Sequence, residues 1–269
     1  MVENAARGGI EKRPVVRLVG AGPGAADLIT LRGARALQEA DVVLYDDLAN
    51  PELLELCGAG VEKIYVGKRA GAHSLPQGEI NTLLVAKARE GKRVVRLKGG
   101  DPMVFGRTAE EIEALATAGF EFEIVPGVTA AAAAGAAAGI PLTQRGVTSA
   151  TVFVAGHACA DRNGAPTNWR ALAALRATLC IYMGTRRFSE IACELRGGGL
   201  PETTPVAVVA GATLTSQSLR FGTLAEADAL LGNLQGRPAM IIVGEVVRWS
   251  ELAAAAQQGA SAGMMGCEI

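Results

Sequence analysis

The feature that most constrains this chain is an alternation of two periodicities. Short runs rich in β-branched residues, VVRLVG at 15–20, DVVLYDD at 41–47, KIYVG at 63–67, RVVRLKGG at 93–100 and FEFEIV at 120–125, are separated by stretches of helical spacing at 30–39, 77–90 and 108–118. Apolar strands joined by crossover helices form a parallel sheet covered on both faces, because a hairpin cannot connect parallel neighbours. After IPLTQRG at 140–146 the pattern restarts, with strands expected at 150–156, 178–184, 205–211 and 238–247 and helices near 169–175, 187–196 and 224–234. The Gly-Gly-Gly run at 197–199 followed by Pro201 marks a helix stop and a loop. The fold class is therefore α/β, arranged as two α/β domains: an N-terminal one over 14–144 that carries the glycine loops, and a C-terminal one over 145–255. Residues 1–13 and 256–269 are expected to be loose termini. The active-site cleft is expected between the two domains, since domain interfaces and strand carboxyl ends are where α/β sites form.

Composition narrows the function classes. With 269 residues, 49% of them apolar and 20% charged, the chain can bury a sizeable core. Its 26 basic and 27 acidic residues leave a net charge of -1, which argues against a surface built to attract nucleic acid or an anionic membrane. Any anion site must be a local cluster. The alanine-rich stretch beyond Phe122 contains Glu123, prolines and glycines and is too short to cross a bilayer, so it reads as a buried, close-packed helix with loops. The opening MVENAARGGIEKRP lacks the apolar core of a secretory signal, which predicts a cytoplasmic location. Cys57, Cys159, Cys180, Cys193 and Cys267 form no CxxC pair and read as reduced thiols. Neither His73 nor His157 has a cysteine at ligand spacing, so no metal site is expected.

Three glycine loops follow strands. Gly20-Ala-Gly22-Pro23-Gly24-Ala25 matches the GxGxxA variant of the dinucleotide fingerprint, but Pro23 removes an amide and the helix begins only near 28–30; a dinucleotide site and a structural tight turn both remain open. RLKGGDPMVFGR at 96–107 places two adjacent glycines beside Asp101 and Pro102, an edge that suits an adenosyl group with a cationic sulfonium or, equally, a loop with a capping aspartate. VPGVTA at 125–130 feeds the alanine-rich helix, with Thr129 as a helix cap or a residue facing the same crevice.

These residues in this order resemble the uroporphyrinogen-III C-methyltransferases of the class III tetrapyrrole methylase family. The resemblance covers roughly 14–252 and rests on VGAGPG, LYDDL, VGKRAGAHSLPQGEIN, RLKGGDPMVFGR, VPGVTAA, AGIPLTQRG, GH at 156–157 and YMGT at 182–185. It implies two α/β domains with the methyl donor S-adenosylmethionine folded between them, a homodimer, and uroporphyrinogen III as substrate. It further implies methylation at carbons 2 and 7 to give precorrin-2 by way of precorrin-1, with S-adenosylhomocysteine released, in sirohaem, cobalamin or haem d1 biosynthesis. By motif match the donor contacts are Pro23, Gly99, Gly100, Asp101, Val104, Thr129, Ala130, Met183 and Ala212, and Asp46 and Lys68 take the proton-acceptor and proton-donor positions. Arg107, Glu110 and Arg145 match groups assigned to substrate binding or base chemistry. The chain departs from the family pattern at GPGAAD, at Met103 and at Gln144, which replaces a frequent histidine.

The chemistry accounts for those residue types. An electron-rich pyrrole carbon attacks a sulfonium methyl group in line, so positioning is the largest protein contribution and no covalent nucleophile is needed. Loss of a ring proton calls for a nearby base, for which Asp46 and Glu110 are the candidate carboxylates. A carboxylate-rich substrate calls for arginines and lysines; Lys68, Arg69, Arg107 and Arg145 each sit beside a glycine in a loop. Three alternatives stay open: a methyltransferase of a later corrin precursor, a dinucleotide-dependent oxidoreductase, and a noncatalytic tetrapyrrole carrier. Two α/β domains use up the length, so oxidation and metal insertion are expected to fall to other proteins.

Overall fold

A computed structural model describes residues 16–67, 75–157, 166–232, 234 and 238–250. The chain divides into two compact units, the first comprising residues up to Gly22 and Ala26–Gly127, the second Pro23–Ala25 and the residues from Val128 onward.

In the first unit the expected strands and helices form β1 (Val16–Gly20), α1 (Leu31–Glu39), β2 (Val42–Tyr45), β3 (Glu62–Tyr65), α2 (Gln77–Arg89), β4 (Val94–Lys98), α3 (Thr108–Thr117) and β5 (Phe122–Val125). Their sheet is parallel throughout, in the order β3-β2-β4-β1-β5. Successive side chains on a strand point to opposite faces, so each apolar run serves two cores. Val19, Val43, Val95 and Leu97 pack with Ala36 and Leu37 of α1 and with Leu53 of the 3-10 turn Pro51–Leu56. Leu18, Leu44 and Val94 pack with Ile80 and Leu84 of α2 and Leu115 of α3 on the other face. From the neighbouring strands β1 and β4 the chain thus departs toward opposite faces. Ligand crevices in open α/β sheets form at the carboxyl end of such a pair.

In the second unit α4 (Ala130–Ala138), β6 (Thr151–Ala155), α5 (Trp169–Ala174), β7 (Thr178–Tyr182), α6 (Phe188–Gly197), β8 (Pro205–Ala210), β9 (Ser218–Thr223), α7 (Ala227–Leu231) and β10 (Ala239–Val243) surround a mixed sheet, β6-β7-β10-β8-β9. β6 and β7 are parallel and the other pairs antiparallel. Trp169, Phe188, Ile191, Leu195 and Leu230 cover one face, and α4 covers the other, with Ala131, Ala134 and Ala138 against Cys180, Ala207, Val209 and Ile242. The alanines let α4 lie close to this sheet, and Gly135 makes room for the chain just past the helix, where a Cβ would stand 2.8 Å from the Ile140 carbonyl oxygen.

Because α4 packs on this second sheet, the contact division falls at Gly127/Val128, ahead of the expected 144/145. β9 was not anticipated: SLRFGT alternates like an edge strand, leaving Leu219 and Phe221 outward on β8's flank. The strand expected over 238–247 stops at Val243, where Gly244 at φ 143 breaks the extended chain and a 3-10 turn, Glu245–Arg248, follows. The helix expected over 224–234 is shorter, opening through a capping box between Thr223 and Glu226 into α7. No helix among the described residues is long and apolar enough to cross a membrane.

Candidate active site

At the carboxyl edge of the first sheet the three glycine loops interlock. Gly100 N–H donates to the Gly22 carbonyl at 2.7 Å and Gly22 N–H to the Gly100 carbonyl at 3.2 Å, with both residues at positive φ (69 and 80). Backbone packs directly on backbone here. A Cβ on Gly20 would lie 2.6 Å from the Cα and N of Gly127 and 2.7 Å from the Gly100 carbonyl oxygen. The Asp101 carboxylate completes the lock, accepting from Met103 N–H at 2.8 Å and from Gly127 N–H at 3.0 Å. Asp101 therefore joins the second loop to the third, a role distinct from a simple helix cap. The first loop runs into a single 3-10 turn, Ala26–Leu28, and the α-helix begins only at Leu31 behind its Thr30 cap, outside the glycine cluster, so the loop does not open directly into an α-helix as a dinucleotide fingerprint requires.

Behind these loops lies a buried charge cluster. Arg96 and Lys98 follow Val94 on one face of the fully buried strand β4, both only 4% exposed, and meet the fully buried Glu111 of α3. Arg96 Nε donates to Glu111 Oε1 at 3.1 Å and Lys98 Nζ to Oε2 at 2.8 Å, while Gln77 Nε2 adds a bond to Oε1 at 3.3 Å. Arg96 Nη2 then reaches Asp46 Oδ2 at 2.8 Å; Asp46 Oδ1 accepts from Leu48 N–H at 3.1 Å in a turn just past β2, where no helix is being capped. Burial, reinforced by the neighbouring Arg96 charge, pushes the Lys98 ammonium below its ordinary range, with Glu111 opposing.

The segment between the second loop and α3 is held open. Phe105 and Arg107 adopt left-handed backbone conformations (φ 52 and 54), and Met103 and Phe105 stand 59% and 44% exposed. Thr108 Oγ1 donates to the Pro102 carbonyl, which ties this loop back on itself. Arg107 grips Glu110 with a fork, Nε to Oε1 and Nη2 to Oε2, both at 2.8 Å. That contact raises the guanidinium above its usual range.

The second unit carries the remaining candidates. Pro23–Ala25 lie against the turn after β8: Ala25 N–H donates to Thr213 Oγ1 at 2.9 Å, and a Cβ on Gly24 would stand 2.9 Å from the Ala212 carbonyl oxygen. Thr129 makes no cap bond with its own side chain. The Tyr182 hydroxyl serves instead, accepting from Ala131 N–H at 3.2 Å and sharing a 2.7 Å hydrogen bond with Thr129 Oγ1. Met183, next in the chain, is left-handed (φ 55) and 51% exposed, which removes plain core packing as its explanation. Ala130 and Ala212 are half-buried beside the α4 core. Arg145 and His157 are exposed, and Gln144 closes a tight turn with Thr148 through paired backbone hydrogen bonds. Lys68, Arg69 and His73 lie outside the described residues. Among the described residues no group of His, Cys, Asp and Glu is arranged to hold a metal ion.

The structure thus brings Asp46, Gly99, Gly100, Asp101, Val104, Arg107 and Glu110 to one edge of the first unit, and in the second it places Pro23, Met183 and Ala212 in loops, with Thr129 at the N-cap and Ala130 at the first residue of α4. Sequence reasoning passed over Arg96, Lys98, Glu111, Tyr182 and Thr213. Arg96 and Lys98 did carry a signal, since two cations at i and i+2 of a central strand share a buried face and require an anion there.

The chain matches, over residues 15–228, the family model of the tetrapyrrole (corrin/porphyrin) methylases. It is 53% identical over 232 residues to siroheme synthase 1 of Yersinia enterocolitica, covering 86% of this chain and 48% of that protein. It is 50% identical over 247 residues to the siroheme synthase of Sodalis glossinidius, covering 91% and 52%. The chain spans about half the length of these curated relatives. Among solved structures it is similar to uroporphyrin-III C-methyl transferase from Thermus thermophilus in complex with S-adenyl homocysteine (TM-score 0.73, 41% identity, 87% and 99% of the two chains). It is also similar to a cobalt precorrin-4 methyltransferase (TM-score 0.77, 33% identity, 86% and 95%). A family match over most of the chain, together with the glycine-loop edge on its parallel sheet, makes this protein a member of the tetrapyrrole methylases.

Proposed function

We propose that this chain is an S-adenosylmethionine-dependent uroporphyrinogen-III C-methyltransferase that methylates carbons 2 and 7 to yield precorrin-2. The observation that carries the reading is the edge where paired backbone hydrogen bonds join Gly22 to Gly100 and the Asp101 carboxylate holds Gly127 N–H, at the topological switch of the parallel sheet. The likeness to the Thermus enzyme and to the siroheme synthases supports the substrate. The residues fit the donor. Glycine at 100 leaves bare backbone at the loop edge, and glycine at 99 lets Leu48 close on the loop, since a Cβ there would collide with the Leu48 Cβ. None of the nine matched positions is sealed in a core, and Met183 is lifted outward by its left-handed backbone.

When bound, S-adenosylmethionine supplies an electrophilic methyl group. The chain's own part is to hold and to move a proton. Pro23, Gly99, Gly100, Asp101, Val104, Thr129, Ala130, Met183 and Ala212 hold the donor, and Asp46 accepts the one ring proton whose loss balances the incoming methyl cation, while Lys68 takes the position that the resemblance assigns to the proton donor. Arg107 and Arg145, both exposed, bind substrate carboxylates, Arg107 through the guanidinium edge that Glu110 does not occupy. Glu110, already forked to Arg107, fixes that guanidinium's orientation. Homodimeric assembly and a cytoplasmic location complete the reading and rest on the sequence alone.

The test is anaerobic incubation of the purified protein with uroporphyrinogen III and methyl-labelled S-adenosylmethionine, with product mass and label read after oxidation. Two methyl additions are expected. Donor binding without transfer would overturn the substrate and favour a later corrin precursor, the reading that the likeness to the precorrin-4 methyltransferase supports.

A further inference from the structure

Asp46 sits one residue past the end of β2, where backbone pairing no longer holds a side chain in place. Its carboxylate is nevertheless fixed at both oxygens, by Leu48 N–H and by Arg96 Nη2. Arg96 in turn has no freedom to follow a wandering partner. Its Nε is committed to Glu111 at 3.1 Å and its Nη1 to the Leu97 carbonyl at 2.9 Å, and the guanidinium is planar, so those two bonds fix the direction in which Nη2 points. We propose that Arg96, clamped by Glu111, is a positioning residue that sets the orientation of Asp46 for proton acceptance; this rests on the reading of Asp46 given above.

The charge balance of the cluster explains why Glu111 is needed. Two buried cations, Arg96 and Lys98, face one buried anion, Glu111, and the partly exposed Asp46 is the second. The downward push on Lys98 has the same origin: burial and the Arg96 charge both act against its ammonium. Without the Glu111 charge, Arg96 loses the anchor of its Nε and gains an unopposed repulsion from Lys98. Its hold on Asp46 then loosens although Asp46 itself is untouched. The same carboxylate holds Lys98, whose Cε lies beneath Gly106, 3.2 Å from where a Cβ would be. The clamp therefore also supports the segment leading to Arg107.

The test is a double-mutant cycle on methyl transfer with Arg96→Lys and Asp46→Asn. Lysine keeps the charge and loses the fork. Arg96→Lys is expected to lower kcat on the order of 100-fold, with S-adenosylhomocysteine affinity and the KM for the donor held within ~2-fold, because a misaimed group loses turnover without losing ground-state contacts. In the Asp46→Asn background the same substitution is expected to cost less than ~3-fold of the residual turnover. Equal losses in both backgrounds, or a loss that appears in donor affinity, would overturn the proposal. Glu111→Gln replaces Arg96→Lys in the cycle if the latter does not fold.

A second measurement is independent of the substrate: proton-nitrogen NMR of the Arg96 side chain. The wild-type Nε–H is expected to exchange slowly with solvent, and Glu111→Gln to speed that exchange. Exchange in the wild type as fast as in an exposed arginine would refute the clamp. Absence of transfer to uroporphyrinogen III by the wild type would count against the proposed substrate, leaving the NMR result to decide for or against the clamp.

Discussion

Replacing Asp101 with asparagine isolates the lock between the glycine loops. The aspartate spends one oxygen on Met103 N–H and the other on Gly127 N–H. Asparagine keeps one acceptor and puts an NH2 group where the other stood, so a donor faces a donor; flipping the amide only moves the mismatch from Gly127 to Met103. One charge-assisted hydrogen bond is lost, about 1.5–3 kcal/mol, and the abandoned N–H, being half-buried, recovers part of that from water. A net loss of ~2 kcal/mol in the first unit is expected, read by urea denaturation with a tryptophan-independent signal such as far-ultraviolet dichroism. Because the lock shapes the edge assigned to the donor, S-adenosylhomocysteine affinity by calorimetry is expected to fall about 10-fold or more, the factor that 1.4 kcal/mol represents. A variant within ~0.5 kcal/mol of wild type and binding the donor product equally well would refute the strut role.

Gly20→Ala is expected to cost ~3 kcal/mol or to prevent folding, since its Cβ meets only backbone, whereas Gly78→Ala meets nothing within 4 Å and is expected to stabilise by up to ~0.5 kcal/mol; chemical denaturation distinguishes the two. Tyr182→Phe removes the hydroxyl that caps α4 and is expected to cost ~1–2 kcal/mol, measured the same way. The Arg93 guanidinium and N–H beside Asp41 pull its carboxyl down to about 2 from 3.8. A carboxyl lowered in the folded state stabilises fully above its unfolded value and loses that contribution as pH falls through the folded one. The stability difference between wild type and Asp41→Asn is therefore expected to be constant above about pH 5, to shrink as pH falls through 3.8 toward the folded value of about 2, and to be small throughout because water screens this pair.

Much of the architecture was legible because it follows from local rules. The strand-helix alternation of the first unit became its parallel sheet almost residue for residue, since apolar runs with crossover helices admit few other arrangements. The glycine loops were legible for the same reason: two adjacent glycines after a strand mean close backbone approach, and Gly100 at φ 69 fulfils that. β9 was missed because SLRFGT is an edge strand with one polar face, whose pairing depends on β8 rather than on its own pattern.

The sequence by itself determined most strand ends and helix starts, those of the first unit above all, and the family motifs that go with them. Only the tertiary structure decided what those residues touch. Glu110 and Glu111 are adjacent and chemically alike, yet one lies on the surface with Arg107 and the other is buried between Arg96 and Lys98. A helix turns about 100° per residue, so neighbouring side chains enter different surroundings, and which surroundings those are depends on a sheet built from distant segments. The aim of Asp46 comes from Arg96 and Glu111 far along the chain, and the capping of α4 comes from a tyrosine at the end of β7. Such long-range pairings leave no periodic trace in sequence, because the spacing between partners is set by the topology of the fold.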